Sequence, residues 1–175
     1  MIFGDRTNGE SWSLDVLTLD YLVSGEVGPA AQKWAWTYFS MVEKRTPSSL
    51  EMTASKASST GNLPAPDLAG KTVGFSYQTG LIGLIPRDEA AGNAWDKWAV
   101  LGDALAAELT IGPYAISGSM LSPSGGLSVL INDRFAMRDA TITRVDGGSG
   151  APIDAPKAVF STRFVQTATL AAQAD

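Results

Sequence analysis

The feature that most constrains this chain is internal repetition. Leu17-Thr18-Leu19, followed by Tyr21-Leu22-Val23-Ser24-Gly25, is echoed by Leu109-Thr110-Ile111, followed by Tyr114-Ala115-Ile116-Ser117-Gly118, with Pro113 as an extra residue. Ala65-Pro66-Asp67-Leu68-Ala69-Gly70-Lys71-Thr72-Val73 is echoed without a gap by Ala151-Pro152-Ile153-Asp154-Ala155-Pro156-Lys157-Ala158-Val159. Between them, Phe39-Ser40-Met41-Val42 lines up with Leu127-Ser128-Val129-Leu130, and Glu51-Met52-Thr53 with Thr141-Ile142-Thr143. Each match alone is commonplace. Their shared order and spacing point to duplication of one unit of about eighty residues.

Inside each unit the pattern is that of short strands. Trp12 to Leu19 alternates, with Trp12, Leu14 and Val16 on one face. Tyr21 to Val27 is a second strand whose Gly25 marks a bend or bulge. In the second copy a turn at Ser122-Pro123-Ser124-Gly125-Gly126 leads into a strand over 127–131, and Phe135 to Val145 forms another. Residues 147–156 read as a loop, and Lys157 to Leu170 closes the unit. Between the copies the sequence predicts a helix capped at Asn93, with Asp96 in its first turn and Trp95, Trp98, Leu101, Leu105 and Leu109 at helical spacing. The expected fold is mainly β: two tandem copies of a small five-stranded barrel or sandwich-like unit. Residues 1–86 form the first, 87–108 the connecting amphipathic helix and 109–175 the second, packed together as one body. With the loop Ile131-Asn132-Asp133-Arg134 before a strand, the second copy resembles a small Sm-like or SH3-like barrel in topology. That resemblance implies a fold and carries no function or binding residue.

Composition removes much chemistry. The chain has neither Cys nor His, so disulfides, thiolate metal sites and His-based catalytic triads are impossible within it. Its net charge of -5 comes without a basic stripe, which argues against nucleic acid. Hydrophobic residues make up 45% and charged ones 18%, the balance of a globular chain with no membrane span. The opening Met1-Ile2-Phe3-Gly4-Asp5-Arg6 has no signal-like apolar run, so the expected location is the cytoplasm or a virus particle.

The acidic residues Asp15, Asp20, Glu26, Asp133 and Asp139 are scattered, and nothing in their spacing builds a catalytic pair or a calcium loop. Gly80-Leu81-Ile82-Gly83 and Gly147-Gly148-Ser149-Gly150 lack the rest of a nucleotide-binding motif and read as turns. No catalytic residue, metal ligand or cofactor is expected. The most distinctive local feature is the aromatic run Trp34, Trp36, Tyr38 and Phe39. If extended, it places Trp34, Trp36 and Tyr38 on one contact face; if helical, it feeds a buried core. Trp95, Trp98, Leu101 and Leu105 are expected to pack across the two copies. The resulting expectation is a non-enzymatic structural or assembly subunit, homo-oligomeric or part of a larger complex with other protein subunits, of a composition common in virus coats, tails and connectors. One alternative is an adaptor or ligand-binding module with its site between the repeats. Another is a carboxylate-based hydrolase using Asp15, Asp20, Asp133 or Asp139.

Overall fold

Alternating sequence becomes strand in ten segments of the described residues. The structure is a computed structural model and describes residues 9–40, 49–99, 102–122, 125–148 and 150–170. In chain order its elements are β1 (Trp12–Leu17), β2 (Tyr21–Val27), α1 (Gln32–Phe39), β3 (Ser49–Ser59), β4 (Thr72–Ser76), β5 (Gly83–Pro86) and α2 (Glu89–Trp98). There follow β6 (Asp103–Ile111), β7 (Tyr114–Ser122), a 3-10 helix (Gly126–Ile131), β8 (Arg134–Arg144), β9 (Ile153–Ser161), a 3-10 turn (Thr162–Phe164) and β10 (Val165–Leu170).

All ten strands lie in one antiparallel sheet of order β10-β6-β7-β8-β9-β5-β1-β2-β3-β4. The expected barrel is therefore not formed. β4 and β10 end the sheet on opposite sides and do not pair, so it stays open. The strands on either side of α2 are continuous through the ladder between β5 and β9, where Gly83 faces Phe160 and Leu84 faces Val159.

The sheet is covered on opposite faces in its two halves. Leu14, Val16, Val23, Leu50, Met52 and Phe75 belong to a core that also takes Ala35, Tyr38 and Phe39 of α1 and Ala91 and Trp95 of α2. Leu109, Ile116, Met120, Phe135, Met137 and Phe160 belong to a second core. Along β5 the adjacent residues Leu84 and Ile85 enter different cores, and so do Val159 and Phe160 on β9. Successive strand residues point to opposite faces, so the two cores lie on opposite sides of the sheet.

The connecting helix is shorter than its sequence suggested. It is capped by Asp88, whose carboxylate accepts the Ala91 N–H at 2.8 Å and the Ser13 N–H at 2.7 Å, and not by Asn93. It closes at Ala99, and Gly102 follows at a φ of 83°. Leu105 and Leu109 satisfy helical spacing, but Ala107, Leu109 and Ile111 also alternate, and the chain takes period two as strand β6. Leu101 and the side chain of Trp98 lie outside the described residues. Residues 127–131 form a 3-10 helix rather than a strand, after Gly125 and Gly126 at φ values of 73° and 63°.

The two echoed Ser-Gly pairs, Ser24-Gly25 and Ser117-Gly118, sit at bulges. The β2–β3 register shifts between Ser24 and Gly25, and the β7–β8 register shifts between Ser117 and Ser119, around Gly118. A Cβ at Gly25 would overlap the Thr53 carbonyl oxygen and the Met52 side chain. One at Gly118 would lie 2.9 Å from Ala140 Cα and from the Arg138 carbonyl oxygen. Backbone cannot retreat from such contacts without opening the ladder. Gly25→Ala and Gly118→Ala should each cost about 1–3 kcal/mol in urea unfolding, the range of overpacked sites. Gly28→Ala, where an added Cβ meets nothing within 4 Å, should stay within about 0.5 kcal/mol of the parent.

Candidate functional site

The aromatic run forms helix α1 and divides between core and surface. Tyr38 and Phe39 are buried, with Phe39 stacked on Trp12 at 6.2 Å and Tyr38 on Tyr77 at 4.6 Å. Trp36 is half-buried against the same core, while Trp34 is 42% exposed with the Lys33 ammonium 4.7 Å from its ring. Tyr38 and Phe39 are thus core residues, and the four do not make a single contact face. Helical spacing explains the division, because α1 turns successive side chains by about 100°. Arg134, buried at the start of β8, fixes the helix end. Its Nη2 donates to the Thr37 and Ser40 carbonyls at 3.0 and 2.6 Å, a cation at a helix C-terminus.

Trp95 is wholly buried on α2 and reaches β9, where its indole N–H donates to the Ala158 carbonyl at 3.1 Å. Lys157 lies 5.9 Å from its ring and pairs with Asp96 at 2.6 Å, and Arg138 approaches the ring at 5.6 Å. Leu105 is half-buried on β6 and contributes nothing to α2.

A second polar junction was not anticipated from sequence. Arg144, at the end of β8, grips Asp146 with Nε and Nη2 at 2.6 and 2.8 Å. It also donates from Nη1 to the Leu19 carbonyl and Thr60 Oγ1, and from Nη2 to Asp20. Tyr114 lies beneath this guanidinium and donates its hydroxyl to the Thr18 carbonyl at 2.7 Å, so the Thr60 hydroxyl, 2.6 Å away, donates to Tyr114. Arg144 and Tyr114 come from β8 and β7, while every other group except Asp146 comes from the β1–β2 turn or the end of β3. The residues were visible, but contacts so distant in sequence leave no spacing to read.

Recesses accompany these features. One of about 260 Å³ is lined by Leu22, Thr60, Tyr114, Arg144 and Pro152. Two others lie on the sheet, about 410 Å³ around Asp15, Ser24, Gly25 and Arg87, and about 380 Å³ around Glu108, Ser117, Thr141 and Thr167. None of the three is lined by Trp34 or Trp95. The candidate carboxylates are dispersed: Asp15 pairs with Arg87 at 2.6 Å, Asp20 with Arg144 at 3.3 Å and Asp133 with Arg134 at 2.7 Å. Asp139 is exposed on β8 at a φ of 50°. Among the described residues no group of three acidic side chains could hold a metal, and no helix is long and apolar enough to cross a membrane.

The sheet edges are chemically plain. β4 reads Thr72-Val73-Gly74-Phe75-Ser76 and β10 reads Val165-Gln166-Thr167-Ala168-Thr169-Leu170. Neither strand contains a charge or a proline, two common protections of an edge, and β10 carries a register shift between Val165 and Thr167. Gly74, Thr167 and Thr169 are exposed.

Burial raises the phenol pKa values of Tyr38, Tyr77 and Tyr114 above the ordinary value; Tyr77 adds to the effect on Tyr38, whereas Arg134 opposes it on both Tyr38 and Tyr77. A raised phenol pKa favours the protonated folded form. Its contribution is complete below the unfolded value of about 10 and declines as pH climbs from there through the folded values. Alkaline titration should show these three tyrosines ionising together with loss of the near-ultraviolet signal of folding. Arg144→Ala should cost about 1–3 kcal/mol in urea unfolding, because Thr60 and the Leu19 carbonyl lose a charged donor. Arg144→Lys should recover only part of that, since a lysine cannot bridge Asp146 in bidentate fashion. Comparison with known proteins finds no protein-family model, no curated protein and no solved structure that matches this chain.

Proposed function

We propose that this chain is a non-enzymatic structural subunit that acts through protein–protein contacts in a larger assembly. One observation carries the reading: an open ten-stranded sheet ends on both sides in strands without charge or proline. Among the described residues no further strand pairs with the outer side of β4 or β10, and such an edge offers backbone donors and acceptors to another chain. The dispersed, individually paired carboxylates support the same reading over a hydrolase. A virus particle is the setting that the composition favours.

The scaffold of this subunit is a duplicated five-stranded unit. Its support is the strand order. Raising each index by five converts β5-β1-β2-β3-β4 into β10-β6-β7-β8-β9, the other half of the sheet. Equivalent pairs agree in detail. Asp15 faces Ser24 and Glu108 faces Ser117, each beside a bulge glycine. Met52 and Met137 are both buried, and Phe75-Ser76 matches Phe160-Ser161. Each of those serines caps the turn that follows: Ser76 Oγ accepts from Gln78 and Thr79, and Ser161 Oγ accepts from Arg163.

Native mass spectrometry and sedimentation of the purified 18.3 kDa chain should show a multiple of that mass, rising with concentration. A single monomer mass at every concentration, with or without the products of neighbouring genes, would overturn the assembly reading.

A further inference from the structure

The relation between the two halves of the sheet determines how another copy would attach. Strand order is kept from one half to the other, but five antiparallel steps reverse strand direction. The equivalent core residues Val16 and Leu109, and Leu50 and Phe135, lie on opposite faces. A half-turn about the axis running across the strands, combined with a shift of five strands, satisfies all three facts. A half-turn with a shift is a screw operation. It moves each unit sideways along the sheet, and β4 and β10 of one chain accordingly fail to meet.

Resting on the assembly reading above, we propose that the β4 edge of one copy pairs antiparallel with the β10 edge of the next, repeating between molecules the β5–β9 ladder found within one. β4 occupies the place of β9 and β10 that of β5, and ten alternating strands make the new pair antiparallel. The occupant is thus a second copy of this chain, and the contact is heterologous, so it propagates as a ring or a filament and not as a two-fold dimer.

The register follows from the internal ladder. Gly83 faces Leu17 on β1, as Thr167 faces Thr110 on β6; Phe160 faces Phe135 on β8, as Phe75 faces Leu50 on β3. The Gly83–Phe160 pair therefore becomes Thr167–Phe75, and the next rungs are Ala168–Gly74 and Thr169–Val73. In the internal ladder Ser161 N–H donates to the Ile82 carbonyl at 2.9 Å. That bond puts Ile82–Ser161 at a hydrogen-bonded position of the ladder, although the Ile82 N–H itself turns to the Leu17 carbonyl, and alternation makes Thr169–Val73 a non-hydrogen-bonded pair, where side chains come closest.

The chain has no cysteine, so an engineered cross-link reports without interference. Val73→Cys and Thr169→Cys chains, mixed and mildly oxidised, should give disulfide dimers at least tenfold in excess of either variant alone, and the double variant should give a ladder of multimers. Gly74→Lys, at a site where an added Cβ meets nothing within 4 Å, should keep its circular dichroism and weaken assembly at least tenfold. Assembly without the mixed cross-link, and insensitive to Gly74→Lys, would overturn edge pairing and leave the assembly reading standing. Efficient dimers of Val73→Cys alone would also overturn it, since they require two β4 edges to meet. A monomer at every concentration would overturn both.

Discussion

Strand β5 has four residues in which to join two halves of a sheet whose cores lie on opposite faces. All four are buried, β1 pairs on one side and β9 on the other, and neighbouring residues Leu84 and Ile85 supply different cores. A strand covered on both faces has no polar position to offer, which is why Gly83-Leu84-Ile85-Pro86 carries none. Gly83 is required by close approach: a Cβ there would lie 2.8 Å from the Phe160 ring. Pro86 ends the strand, and Arg87 then leaves it to bridge the halves, binding Asp15 on β1 and donating to the Asp154 carbonyl on β9.

Given that narrow hydrogen-bonded seam, the polar side chains at its ends have a definite task. Arg144 and Tyr114 reach from the second half onto the β1–β2 turn, and Arg134 reaches from β8 onto the end of α1. Trp95 spans from α2 to the β9 backbone. These contacts resist rotation of one half against the other, a motion that a two-residue ladder alone would permit.

How much of this was legible in the sequence depends on range. β2 runs over Tyr21–Val27 as alternation predicts, and the Ser24-Gly25 and Ser117-Gly118 echo marks a bulge in each half, because local steric need leaves a local signature. The gapless echo of 65–73 with 151–159 is out of phase with the structure by one residue. It matches Val73 to Val159, yet the buried methionines place Met52 opposite Val73 and Met137 opposite Ala158. A one-residue slip exchanges faces, so identity at Lys71 and Lys157 was a poorer guide than the bulge glycines. The sheet stays open, where strand spacing predicts a barrel, for a related reason. Periodicity identifies strands and their buried side, but which strands end the sheet is decided by pairings between residues far apart in sequence.

The two halves of the sheet differ most in the connection after their second strand. Between β2 and β3 lies α1 with its four aromatics, and between β7 and β8 lies a single 3-10 helix. The difference follows from coverage. The first core needs a lid over Trp12, Leu50 and Met52, which Tyr38 and Phe39 supply together with α2. In the second half the 3-10 helix supplies Val129, packed with Leu127 and Leu130, over a core filled by Phe135, Met137 and Phe160. Trp34 is the outward-facing aromatic of α1, on a helix held by Arg134 from β8. Its position is set by both halves, whereas the edge strands β4 and β10 each belong to one.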